Sequence, residues 1–160
     1  MNVIAEQVLR KCNFTIKNGE VRMKQFERMT KYIPLMKEDA FGEWVIDHEN
    51  DGTQERPMRM PFVHYSDMVK GFIQDVYQFK KEHEDYELNR YGEILKKNGI
   101  EWGNDSMGKA DISTLSGQCI MALIMGAVRA ERFCDGALLT FFKDGSILKW
   151  LKRLQEIDNM

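Results

Sequence analysis

The feature that most constrains the fold is the C-terminal stretch ERFCDGALLTFFKDGSILKWLKRL, residues 131–154, in which two Asp-Gly pairs interrupt an apolar and aromatic run. Asp-Gly is a turn signal because glycine adopts left-handed backbone angles without steric cost. Asp135-Gly136 and Asp144-Gly145 therefore predict two turns, with a short helix at 137–143 and a final helix from Ser146. The residues predicted to pack between the helical pieces are Phe133, Leu138, Phe141, Ile147 and Leu151.

The segment before these turns predicts the longest helix, from Ser113 or Thr114 to Phe133. Small residues recur on one of its sides, which lets a neighbouring helix approach closely, so we expect it at the centre of the fold. These residues include Cys119, Ala122, Gly126, Ala127 and Ala130. The apolar run within it, residues 119–128, is about half of the roughly 20 residues that a membrane span needs. We therefore expect no membrane-spanning segment.

Residues 41–65 differ from the rest of the chain, because they hold two aromatic and β-branched runs, 41–47 and 58–65, around a loop rich in turn formers. This pattern predicts two short strands, the second at a sheet edge or bent at Pro61, which cannot donate a ladder hydrogen bond. The predicted fold class is α+β and predominantly α-helical. We expect a single domain, residues 1–160, of about six helices with one short two-stranded β element near residues 41–65.

Further helices are predicted on both sides of the strands. Ser66-Asp67 caps a helix with a wide apolar face, and residues 86–99 carry another apolar stripe that ends at Gly99. Apolar residues at helical spacing between Met23 and Met36 also predict a helix, which Pro34 kinks or ends. Residues 100–111 are predicted to form a loop, because their glycines and Asn-Asp pair oppose helix formation.

The N-terminal residues leave two interpretations open. A rough apolar stripe predicts a short first helix that ends near Cys12. Asn18-Gly19 lies between apolar residues and fits either a β-hairpin turn or a linker between helices. We favour the linker.

Composition and charge restrict the class of protein. The formal net charge is −2, so no global positive field is present to hold a phosphate backbone, and nucleic acid is not the expected partner. The Lys/Arg cluster LKWLKRL at 148–154 keeps a local nucleic-acid site as a third hypothesis. Three widely separated cysteines and the absence of a signal-peptide pattern favour reduced thiols in a cytoplasmic protein.

Known chemical motifs are absent from the sequence. The loop 47–58 resembles a calcium loop in its early positions, but Met58 stands where a bidentate Glu is required. The three histidines have no zinc-site spacing. Cys134 lies beside Arg132 and Asp135, which could activate a thiol, yet a cysteine there is more often structural. We therefore expect no catalytic residue, no metal and no cofactor.

The remaining site candidates are four residues suited to recognition. Trp44, Tyr65 and Trp102 are large aromatic residues of the kind favoured at interfaces. Arg132 follows Glu131 at the end of the predicted central helix. The charged pair can hold the helix end through backbone carbonyls, which we favour, or Arg132 can face a cleft and bind an anion.

Four segments resemble a family of small bacterial and phage proteins, the domain-of-unknown-function family 6508. These segments are YIPLM (32–36), FGEW (41–44), PFVHYSDMVKGFIQDVY (61–77) and RFCDGALLTFFKDGSILKWLKRL (132–154). The resemblance covers roughly residues 30–157 and implies that residues 1–20 are an N-terminal extension to the shared fold. It implies a bacterial or phage context and assigns no catalytic residue.

Two functions follow as hypotheses. The first is a non-enzymatic binding or regulatory protein with a protein partner, for example a phage or mobile-element modulator of a host system, and a homodimer is compatible with it. The alternative is a small-ligand or nucleotide-binding protein, with or without enzymatic activity, whose pocket lies near the end of the central helix. The candidate ligand- or partner-binding residues are Trp44, Tyr65, Trp102 and Arg132, and in the alternative Arg132 and an aromatic residue near the strand pair line the pocket.

Overall fold

The structure is a computed structural model that describes residues 14–17, 20–37 and 40–160. These residues form a mostly helical single domain with seven α-helices and two small antiparallel sheets. The strands are β1 (Phe14–Lys17), β2 (Glu20–Met23), β3 (Gly42–Val45) and β4 (Phe62–Tyr65). The α-helices are α1 (Glu27–Thr30), α2 (Asp67–Glu82), α3 (Tyr91–Lys97), α4 (Asn104–Lys109), α5 (Gly117–Ala130), α6 (Ala137–Lys143) and α7 (Ser146–Asn159). Short 3-10 helices cover Ile33–Lys37, Glu84–Tyr86 and Leu88–Arg90.

The predicted β element near residues 41–65 is confirmed. β3 and β4 pair in antiparallel fashion, with Gly42 opposite Tyr65 and Val45 opposite Phe62. β4 begins directly after Pro61, because proline lacks the N–H that a ladder requires. Residues opposite each other across two strands lie on the same face, so the side chains of Trp44 and Tyr65 share one face of this hairpin.

The preference for a linker at residues 18–19 is wrong. β1 and β2 pair in antiparallel fashion on either side of these two residues, with Lys17 opposite Glu20 and Phe14 opposite Met23. The hairpin alternative therefore describes the flanking segments, and Met23 belongs to a strand instead of the predicted helix. Residues 18 and 19 themselves, and the predicted first helix ending near Cys12, lie outside the described residues.

α5 is the central helix, as predicted, although it is shorter at both ends than expected. It begins at Gly117 because Ser116 has extended backbone angles and its Oγ accepts a hydrogen bond from the N–H of Cys119 at 3.3 Å. Close packing depends on its small residues. A Cβ on Gly117 would lie 2.4 Å from the ring of Phe26, and a Cβ on Gly126 would lie 3.0 Å from Met107.

The helices around α5 follow the predicted apolar faces. In α2, Val69, Phe72, Val76 and Phe79 are buried, and Ser66 caps the helix by accepting from the N–H of Val69. α6 and α7 begin after Gly136 and Gly145, which have positive φ angles of 82°. Of the five residues predicted to pack between the C-terminal helical pieces, Leu138, Phe141, Ile147 and Leu151 are fully buried.

Two further predictions of local structure are wrong. The segment 100–111 contains the short helix α4, because the fully buried Met107 anchors it against the core in spite of Gly108. The predicted helix between Met23 and Met36 is reduced to α1 and the 3-10 helix that contains Pro34. In the first segment the burial of Met107 outweighs the local preference, and in the second the α-helix ends before Pro34.

Ion pairs join α1 to α2 at the edge of the core. The carboxylate of Asp75 binds the ammonium group of Lys31 at 2.8 Å and the guanidinium group of Arg28 at 3.3 Å, and the hydroxyl of Tyr32 donates to it at 2.5 Å. Burial alone would raise the pKa of Asp75, but the hydrogen bonds from Lys31 and Tyr32 and the nearby positive charges lower it. This cluster is a structural connection between helices.

None of the helices in the described ranges has both the length and the apolar character needed to cross a bilayer.

Candidate functional site

The turn Glu131–Gly136 joins the end of α5 to the start of α6. The N–H groups of Phe133 and Cys134 both donate to the carbonyl of Ala130 at 3.0 Å, which closes the end of α5. Gly136 then takes a left-handed conformation, and the ring of Trp44 packs against it, since a Cβ on Gly136 would lie only 2.3 Å from that ring. A glycine is therefore needed here for its backbone angles and for the space that it leaves.

Glu131 holds the inner side of the turn. Its carboxylate accepts hydrogen bonds from the N–H groups of Gly136 at 3.0 Å and Leu138 at 2.9 Å, which otherwise have no partner within α6. The interpretation that the Glu131-Arg132 pair holds the helix end through backbone carbonyls is wrong. Glu131 acts on donors at the start of the next helix, where a negative charge is favourable.

Tyr65 completes this inner network from β4. Its hydroxyl accepts from the N–H of Leu139 at 3.1 Å and is hydrogen-bonded to the carboxylate of Glu131. Burial of the ring raises the pKa of Tyr65 strongly, and the hydrogen bond to Glu131 and the negative charge of that carboxylate raise it further. Tyr65 lies beneath the turn, where it connects the hairpin to α6.

Three large aromatic side chains in or against the turn keep solvent-exposed surface; we call them the aromatic patch and their exposed surface the outer side of the turn. Trp44, Trp102 and Phe133 are exposed to 46%, 44% and 77% respectively. The rings of Trp102 and Phe133 meet edge to face with centroids 5.7 Å apart, and the indole N–H of Trp102 donates to the carbonyl of Gly126 at 3.2 Å. Both tryptophans therefore rest on glycine backbone, which restricts their movement.

Phe133 was missed as a site residue, because its apolar character predicted a buried contact between helices. That prediction is wrong: α5 ends at Ala130, and the turn carries Phe133 outward instead of along the helix face. Whether an aromatic residue near a helix end is buried or exposed depends on the residue at which the helix ends. The sequence offered one relevant signal, the Asp-Gly turn two residues further on.

Arg132 extends from the same turn toward α2. Its guanidinium carbon lies 6.0 Å from the ring centroid of Tyr77, a cation–π arrangement. Among the residues that the structure describes, Arg132 has no carboxylate partner. All four predicted site residues therefore meet at the turn Glu131–Gly136: Trp44 on Gly136, Tyr65 on Glu131, Trp102 on Phe133, and Arg132 within it.

The other candidates for chemistry are the two described cysteines and the calcium-like loop. Cys134 is exposed, and its Sγ lies 3.9 Å from the carbonyl of Asp135. Cys119 is buried, and burial raises the pKa of its thiol to about 11. In the calcium-like loop, hydrogen bonds from Arg59, Asn50 and Glu49 lower the pKa of Asp47, whose carboxylate thus organises the loop itself. Within the described ranges, no three His, Cys, Asp or Glu residues are grouped so as to hold a metal ion.

Two of the open cavities in the described part of the chain are lined by residues outside the aromatic patch. The larger has a volume of about 700 Å³ and separates the segment after α4 from α7. The smaller, about 500 Å³, lies between the C-terminal part of α2 and the following 3-10 helices. Tyr77 lines the smaller cavity and also contacts Arg132, so this cavity adjoins the turn.

Comparison with protein families identifies the chain. Residues 21–160 match the family described as "Family of unknown function (DUF6508)". The chain belongs to this family. The match confirms the resemblance seen over residues 30–157 and includes every residue of the turn and of the aromatic patch. It begins at residue 21, and the interpretation of residues 1–20 as an extension stays a prediction. Comparison with curated proteins and with solved structures finds no match.

Proposed function

We propose that the protein is a non-enzymatic binding protein that recognises another protein through the aromatic patch. The observation that carries this proposal is the exposure of Trp44, Trp102 and Phe133 around one turn. Exposed aromatic residues that lie together favour an interface, because Trp and other aromatic side chains supply much of the binding energy when a partner covers them.

The rigidity of the patch supports recognition. Trp102 is fixed by its hydrogen bond to the Gly126 carbonyl, and Trp44 is fixed by its packing on Gly136. Side chains that are already ordered in the free protein lose little conformational entropy when they bind. A partner with an apolar segment would therefore gain contact area at low entropic cost.

The charges around the patch favour a different protein as the occupant over a second copy of this chain. Arg132 and Asp135 are exposed on the same turn as Phe133. Permanent homodimer interfaces are more apolar than this, whereas interfaces with separable partners combine aromatic anchors with arginine and a polar rim.

A photo-crosslinking experiment tests the proposal. The photoreactive residue p-benzoylphenylalanine replaces Phe133 in one variant and Leu35 in a control variant. Leu35 is 50% exposed but lies on the 3-10 helix Ile33–Lys37, which packs against α7. Each variant is irradiated in a lysate of the native host. We expect the Phe133 position alone to form an adduct with a different protein, and unlabelled wild-type protein to compete for it.

Unlabelled Phe133→Ala and Trp44→Ala proteins serve as matched competitors and should fail to reduce the adduct. The proposal is overturned by an adduct with a second copy of the chain, by equal adducts from the Leu35 position, or by competition that is as effective with the variants as with the wild type. Absence of any adduct at Phe133 also overturns it.

A further inference from the structure

We propose that the cavity between α2 and the 3-10 helices is a second site, which binds a small phosphorylated ligand with a planar ring, of the size of a mononucleotide. This inference is independent of the proposed protein-binding function. The cavity has a volume of about 500 Å³, within the range of small-molecule sites. Its lining residues are Tyr77, Lys80, Lys81, Glu84, Leu88 and Asn89.

Neither of the two lysines that line this cavity has an ion-pair partner among the described residues. These are Lys80 and Lys81, and the guanidinium carbon of Arg132 lies 6.0 Å from the ring centroid of Tyr77, which also lines the cavity. Across the described part of the chain, these three cations have no ion-pair partner, and one carboxylate, Glu84, opposes them at the cavity wall. A phosphate group carries the charge and the acceptor oxygens that such cations bind.

The larger cavity differs in how its four basic residues are used, since only Lys152 among them has no partner within the described part of the chain. There Lys109 is paired with Asp105 at 2.6 Å, and Arg153 is paired with Glu156 at 3.0 Å. The ammonium group of Lys149 donates to the carbonyls of Gly108 and Ala110. The basic side chains of the larger cavity are thus largely used within the protein.

The other lining groups of the smaller cavity fit a planar ring. Tyr77 is half-buried and offers an aromatic surface, and Leu88, which is only 1% exposed, provides an apolar floor. Aromatic side chains stack on nucleobases without strong base preference. The exposed amide of Asn89 can both donate and accept a hydrogen bond, as a base edge requires.

The lysines also have a simpler role, since cations near a helix C-terminus complement its negative end. Lys96 and Lys97 occupy the corresponding last turn of α3, are exposed, and line neither cavity. They therefore provide a matched control: removing them changes net charge and the helix end by the same amount, but leaves the cavity intact.

Titration of the ¹⁵N-labelled protein with AMP, followed by amide chemical shifts, tests the proposal. We expect saturable shifts confined to residues 77–89 and the neighbourhood of Arg132. Lys80→Gln/Lys81→Gln should weaken the affinity about tenfold or more, since two charged hydrogen bonds are lost. Tyr77→Leu should weaken it several-fold, and Lys96→Gln/Lys97→Gln should leave it unchanged.

Inorganic phosphate and adenosine, used as separate probes, should each bind more weakly than AMP at the same residues. Equal losses in the two double-lysine variants, or shifts centred on 109–113 and 145–156, would overturn the proposal. So would the absence of saturable shifts with AMP, or an affinity for phosphate or adenosine alone that equals the affinity for AMP.

Discussion

The inner and outer sides of the turn Glu131–Gly136 contrast in chemistry and in burial. On the inner side, Glu131 and Tyr65 satisfy three backbone N–H groups at the start of α6. On the outer side, Phe133 and the two tryptophans leave large apolar surfaces in contact with solvent. Polar groups therefore hold this turn in place, and we expect the exposed aromatic surface beside it to contribute less to folding.

Replacement of Glu131 by alanine should have the largest effect on stability. It removes the acceptor for Gly136 and Leu138, and Tyr65 loses its hydrogen-bond partner. We expect the free energy of unfolding to fall by about 2–3 kcal/mol, the cost of leaving buried polar groups unsatisfied. Urea denaturation at neutral pH measures this. Glu131→Gln keeps one accepting oxygen and should lose about half as much; a loss below about 0.5 kcal/mol for Glu131→Ala would show that the carboxylate does not hold the turn.

Replacement of Tyr65 by phenylalanine should have an intermediate effect that depends on pH. Because burial and Glu131 raise the pKa of Tyr65 above its usual value of 10, the folded protein binds this proton more tightly than the unfolded chain. The stabilisation is complete below pH 10 and is lost as the pH rises above that value. We expect Tyr65→Phe to cost about 1 kcal/mol at neutral pH.

The difference between wild type and Tyr65→Phe should therefore shrink between neutral pH and about pH 11. Denaturation curves of both proteins over this range measure the change. Tyr86, whose pKa burial raises to about 12, is present in both proteins and cancels in the comparison. A difference that stays constant with pH would contradict the assignment of a raised pKa to Tyr65.

Replacement of Phe133 by alanine should have the smallest effect on stability. The side chain is 77% exposed and contacts the edge of Trp102. We expect a change within about 0.5 kcal/mol in the free energy of unfolding, as for other surface substitutions. Thermal and urea denaturation measure it. A loss comparable to that of Glu131→Ala would mean that the outer side also supports the fold, and the contrast between the two sides would disappear.

Local signals predicted much of the fold. The two Asp-Gly pairs correctly placed α6 and the start of α7, and Ser66 correctly marked the start of α2. These predictions succeeded because the left-handed conformation of a glycine and the capping of a helix by a side chain depend only on residues close together in the sequence. The loop predicted at 100–111 was wrong because its helix depends on the burial of Met107 in a distant core.

The candidate site was only partly predictable for the same reason. Trp44, Tyr65, Trp102 and Arg132 were selected by residue type, and the structure brings all four to one turn. Residue type could not predict that Tyr65 lies beneath the turn while the two tryptophans are exposed. Residue type also assigned Phe133 to the core. The spacing of apolar residues does not tell whether a residue that follows a helix end is buried or exposed.

The sequence by itself determined the helical class, the β3–β4 hairpin and the turns that divide the C-terminal region, because each depends on the conformational preferences of neighbouring residues. The tertiary structure alone decided which distant residues meet. The carboxylate of Glu131 is hydrogen-bonded to the hydroxyl of Tyr65, and the ring of Phe133 contacts the ring of Trp102 at the surface. These contacts result from the packing of the hairpin and of the helices around α5, and only that packing separates the buried side of the turn from its exposed side.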